Sequence, residues 1–106
     1  MGLKTTNYVS KSTGLVLPEA YAVLKTLVVE SDSRVKATFS VQASRENAQN
    51  FQPIDKVVVN FVWDRKTNVS RMAYEEAKSQ VYVETMEGGS EVVKYGTLYG
   101  WQDDIV

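Results

Sequence analysis

Two residue types that carry much of the chemistry of small proteins are missing here: the 106 residues include no histidine and no cysteine. Their absence removes the usual general base, the usual zinc ligands, the usual pH switch and the thiolate nucleophile together. An enzyme built from this chain would need a carboxylate pair or a Lys, Tyr or Ser arrangement, and no spacing selects one. The carboxylates beside the most apolar stretch are Asp55 and Asp64. Asp103 and Asp104 follow Trp101, but an oxygen-ligand metal loop needs several donors at fixed intervals, so they read as an exposed acidic terminus. Gly88-Gly89 would cradle a phosphate only between a strand and a helix and with a lysine at the loop's end. It is flanked by Glu87 and Glu91 instead and reads as a turn.

Two further groups of residues bear on binding. Arg65, Lys66 and Arg71 form the basic cluster, and with Trp63 nearby they could hold a nucleic-acid strand by stacking and charge. Three charges in an acidic protein read more simply as a solvated turn. Tyr95, Tyr99 and Trp101 form an aromatic group near the end of the chain, punctuated by Gly96 and Gly100. Tyr and Trp are enriched at interface centres, yet they also close the cores of small domains, and both readings stand. Asn68-Val69-Ser70 matches a glycosylation acceptor, which has no meaning without a signal peptide.

The elements that must position these residues follow from periodicity. Lys56 to Asp64 is the densest apolar stretch: with a two-residue period, Val57, Val59, Phe61 and Trp63 share one face, and Val58, Asn60, Val62 and Asp64 the other. It reads as a central strand, packed hard on one side and partly covered on the other. Arg34 to Ala43 alternates without error, with Val35, Ala37, Phe39, Val41 and Ala43 against Lys36, Thr38, Ser40 and Gln42. This strand forms a hairpin about Ser31-Asp32-Ser33 with a preceding strand over Glu19 to Glu30, for which a helix opening at Pro18 is the competing reading. Residues 1–14 are expected to be an irregular, flexible arm, with a short strand near Leu15 to Leu17. Ser44 to Pro53 is amide-rich and aperiodic, a surface loop pinned by Phe51.

Asn68 or Ser70 can cap a helix running to about Lys78, with Val69, Met72, Ala73 and Ala77 as its buried stripe. Beyond it, Gln80 to Met86 is expected as a strand turning at Gly88-Gly89 into Glu91 to Leu98, although Tyr74, Ala77 and Val81 keep helical spacing too. One α+β domain over residues 1–106, mostly antiparallel β-sheet in hairpins with one helix packed on a face, accommodates these pieces. Residues 96–106 are then an interaction tail.

Composition sets the bounds. Hydrophobic residues at 43% and charged residues at 24% belong to a folded chain rather than a disordered one. Twelve basic residues against thirteen acidic ones argue against broad binding to nucleic acid through phosphate neutralisation. The start lacks the apolar core of a signal peptide, and the longest apolar region, Ala20 to Val29, is far short of the roughly 20 residues that span a bilayer. A cytosolic protein without membrane contact is expected.

The succession Gly14-Leu15, Ala20-Tyr21 on a strand, an alternating second strand, a Pro-containing loop, a hydrophobic third strand and Ala73-Tyr74-Glu75-Glu76-Ala77-Lys78 on a helix resembles small virion-associated proteins of tailed phages of Gram-positive hosts. The resemblance covers about residues 14–78, and the chain departs from it after Lys78 by continuing for 28 residues. It implies a non-enzymatic structural protein of the tail, baseplate or head-to-tail junction. Such a protein is made in the host cytoplasm, then built into the virion through contacts with other virion proteins or with itself. It implies no catalytic residue and no cofactor, and no nucleic-acid, membrane or small-molecule partner is expected. The expected contact surfaces are an edge strand presented by Arg34 to Ala43, with Lys36 and Phe39, and the aromatic tail, with Tyr95, Tyr99 and Trp101. The alternative is a small-ligand or peptide-binding module in which Asn60 and Tyr21 line a pocket on the mixed face of the sheet.

Overall fold

A computed structural model describes residues 2–44 and 54–104. Among these residues seven strands and one helix follow in the order β1 (Gly2–Val9), β2 (Val16–Val29), β3 (Arg34–Gln42), β4 (Asp55–Val62), α1 (Val69–Ser79), β5 (Val81–Thr85), β6 (Glu91–Tyr95) and β7 (Gln102–Asp104). Five of the strands form an antiparallel sheet in the order β4-β3-β2-β1-β7, and β5 and β6 pair with each other in a second, two-stranded sheet.

The alternation in β3 does what its pattern demands. Val35, Ala37, Phe39 and Val41 are buried, and with Val59 and Phe61 of β4, Leu3 of β1 and Ala22 of β2 they form the core. Helix α1 contributes Ala73, Tyr74 and Ala77 to the same cluster. Its Tyr74 ring meets Phe39 edge-on at 5.3 Å, and the Tyr74 hydroxyl accepts the Leu24 amide at 2.9 Å. Asn68 caps the helix by accepting the Arg71 amide at 3.1 Å, the geometry for which Asn is favoured there. The β2–β3 turn is closed by Ser33 N donating to Glu30 O at 3.0 Å, and Ser33 takes a positive φ of 70°. Register slips once between β2 and β3, between Leu24 and Thr26. The bulge shifts the face on which the last third of β2 lies.

Several expectations change. Residues 2–9, read as an irregular arm, form β1, which pairs along its length with β2 and through Gly2 to Lys4 with β7. The strand reading of 19–30 holds, and the strand is longer, starting at Val16. The hairpin reading of 80–98 also holds.

The lateral positions of β3 and β4 are the reverse of those inferred. β3, taken for an edge, lies between β2 and β4, and β4, taken for the centre, is an edge. An apolar face reports what covers a strand from above and carries no information about what lies beside it, which is why the pattern misled. The expected loop at Ser44 to Pro53, with Phe51, lies outside the described residues apart from Ser44.

Candidate protein interface

Strands β5 and β6 stand apart from the core. None of their residues belongs to the core cluster, and every residue of both strands is exposed. Cross-strand pairing sorts them into two faces: Val81 lies opposite Tyr95 and Val83 opposite Val93 on one, while Tyr82 faces Lys94 and Glu84 faces Val92 on the other. The first face is apolar from its base to Val83, with Val81, Val83, Val93 and Tyr95 each more than half exposed, and carries Thr85 opposite Glu91 toward the tip. The second is amphipathic and carries an ion pair between Glu84 and Lys94 at 3.6 Å.

The hairpin is closed at both ends by its backbone. At the tip, Gly89 N donates to Met86 O at 3.1 Å and Gly88 takes φ +94°, a position that favours glycine. At the base, Gly96 N donates to Gln80 O at 2.9 Å.

The structure divides the aromatic group predicted as one surface. Tyr95 and Tyr99 face outward with their ring centroids 4.6 Å apart, extending the apolar face of the hairpin. Trp101 turns inward: it is buried, and meets Tyr8 edge-on at 5.3 Å. Leu98 is buried with it, so residues 98–104 fasten to the sheet rather than extend as a free tail. Lys78 at the end of α1 reinforces this by reaching Asp103 at 2.8 Å and Glu75 at 3.2 Å. Removing everything after Leu98 would therefore strip a core residue and an edge strand, not an interaction tail alone.

The other predicted contact residues separate as well. Phe39 is fully buried and contacts Tyr74, so it has no surface to offer. Lys36 is exposed on the outer face of an interior strand, opposite Val28 and Asn60. The pocket imagined between Tyr21 and Asn60 does not form: Tyr21 is buried at the Gln42 end of β3, with its ring against Gly2, whereas Asn60 lies at the Lys36 end. A shallow cavity of about 370 Å³ does include Asn60, lined also by Glu30, Arg34, Lys36 and Val62.

The basic cluster has local partners. Arg65 donates to the Ser33 hydroxyl at 2.6 Å and lies 5.6 Å from the Trp63 ring centre, and the Trp63 indole donates to Thr67 O at 2.7 Å. These contacts lock the β4–α1 connection onto the β2–β3 turn.

The most perturbed titratable groups are Asp55 and Tyr8, beside a cavity of about 490 Å³ also lined by Lys11, Ser12, Lys56 and Thr97. Asp55 accepts from the Tyr8 hydroxyl at 2.7 Å, from the Lys11 and Ser12 amides at 3.1 Å and from the Ser10 hydroxyl at 3.2 Å. Burial on its own pushes this carboxyl up, but the hydrogen bonds from Ser12, Tyr8 and Lys11 outweigh it and hold it at about 2. Burial and then the Asp55 contact push the Tyr8 hydroxyl up. Both carboxylate oxygens are engaged, and what they engage is the β1–β2 turn, so the group fastens the start of β4 to that turn. Its type was visible in the sequence; its partners, more than 40 residues away, were not.

Among the described residues no group of three or more His, Cys, Asp or Glu side chains could hold a metal ion, and no helix is long and apolar enough to cross a membrane. Comparison of the chain with protein-family models, with curated proteins and with solved structures gives no match.

Proposed function

We propose that this protein is a non-enzymatic assembly subunit that works through protein–protein contacts made by its projecting hairpin. The carrying observation is the apolar face of β5 and β6: Val81, Val83, Val93 and Tyr95, extended by Tyr99, all facing solvent. A two-stranded hairpin has marginal stability alone in water, and a contiguous exposed apolar face marks a surface that is covered in use. In this reading helix α1 covers the face of the sheet that carries Val35, Phe39 and Val41, and the hairpin is left for a partner. The resemblance over residues 14–78 supports placing the subunit in a phage tail, baseplate or head-to-tail junction, assembled in the host cytoplasm before it enters the virion.

The test is a comparison of masses by light scattering after size exclusion, over a concentration series. The intact chain is compared with one in which Gly-Ser replaces residues 81–95. Because Gln80 and Gly96 are already hydrogen-bonded and the excised residues supply nothing to the core, the shortened chain should remain folded. The intact chain should associate and the shortened one remain a monomer. The same number of copies per particle in both chains at every concentration would remove the hairpin from the role assigned to it.

A further inference from the structure

The hairpin's partner can be sought in the chain itself, because a second edge, unpaired among the described residues, has the complementary character. We propose that β5 of one copy adds antiparallel to the outer edge of β4 in a second copy, joining subunits head to tail. The proposal rests on the assembly reading above and specifies the receiving surface.

Backbone geometry comes first. In an antiparallel pair, the residues that bond across a given partner alternate along the strand. Met86 N donates to Ser90 O and Gly96 N to Gln80 O, so the even-numbered residues of β5 bond inward to β6. The N–H and C=O groups of Val81, Val83 and Thr85 therefore point outward. On β4, Trp63 N donates to Ser33 O, so the odd-numbered residues bond to β3 and Lys56, Val58, Asn60 and Val62 present theirs to the open side. No strand among the described residues pairs with that side.

Side chains then match. Residues directly opposite in a pair share a face, so joining these edges continues the face that carries Val81 and Val83 into the one that carries Val58 and Val62, which are 44% and 65% exposed. With Val81 opposite Val62, Val83 meets Asn60 and Thr85 meets Val58, and Glu87 at the hairpin tip comes to Lys56. Tyr99 crowds the base of β6, which makes β5 the freer strand.

Charge agrees with a second copy. Glu87 at the tip and Lys56 on the outer face of β4, which this register sets opposite one another, have no ion-pair partner among the described residues. The acidic tip and basic face are complementary within one sequence. Because β5 and the β4 edge are different surfaces, the contact is heterologous and propagates into a ring or a filament.

Since the chain has no cysteine, single cysteines report the contact cleanly. Thr85→Cys in one chain and Val58→Cys in a second, mass-tagged chain should form a mixed disulfide at least tenfold faster than Thr85→Cys with Val9→Cys, an exposed control. In a second measurement, Glu87→Lys in one chain, and Lys56→Glu in another, should each weaken self-association. Mixing the two should restore it, since each then offers a complementary pair. If the intact chain associates and the hairpin-excised chain does not, but the Thr85–Val58 disulfide shows no preference and mixing restores nothing, the β4 edge is refuted and the assembly reading survives. If the intact chain is a monomer throughout, both fail.

Discussion

Replacing Asp55 with Asn should destabilise the fold by an amount that disappears in acid. The carboxylate accepts four hydrogen bonds, from Tyr8, Ser10, Lys11 and Ser12, and ties the β1–β2 turn to the start of β4. Its depression from an ordinary 3.8 to about 2 is worth at most roughly 2.5 kcal/mol at 1.36 kcal/mol per pH unit. Water reaching the edge of the site screens the charge, which brings the expectation to about 1.5–2 kcal/mol. The sign follows from linkage: a carboxyl whose pKa is lower in the folded state stabilises fully above its unfolded pKa near 4. That contribution is lost as pH falls through its folded value of about 2. Urea denaturation of both chains between pH 7 and pH 2.5 should show a constant difference down to about pH 5 and a shrinking one below. A difference under about 0.5 kcal/mol at pH 7, or one that does not narrow in acid, would refute the account of Asp55 as an ionised fastening.

Two further outcomes separate structural from contact residues. Trp101→Ala should cost about 3–5 kcal/mol by opening a cavity against Tyr8, whereas Tyr99→Ser should leave stability within about 0.5 kcal/mol and weaken association. Urea midpoints and light scattering on the two variants measure both effects, and similar losses of stability would contradict the division of the aromatic group. Gly88→Ala should destabilise the hairpin tip by about 1 kcal/mol, because Gly88 sits at φ +94°. Hydrogen exchange at the β5 and β6 amides should quicken while that at β3 is unchanged.

The sequence by itself determined which faces are apolar and where the chain turns. The alternation of Val35, Ala37, Phe39 and Val41 is enough to bury one side of β3, because successive side chains in a strand must point opposite ways. Asn68 and the alanines at 73 and 77 likewise mark the helix and its inward stripe. These are local rules, satisfied within a few residues.

Only the tertiary structure decided what depends on distant parts of the chain. Strand order placed β3 inside and β4 at the edge, a matter of which backbone groups find partners, to which the side-chain pattern is blind. The same is true of residues 2–9, whose pairing with β2 and β7 involves segments up to about a hundred positions away. Tyr99 and Trp101, two residues apart and alike in composition terms, ended on opposite sides of the surface because Tyr8 waits beneath one of them. The candidate interface was therefore half legible: the hairpin and its apolar residues could be read directly. Their exposure could not, since a run such as Val81-Tyr82-Val83 looks the same whether a sheet covers it or water does.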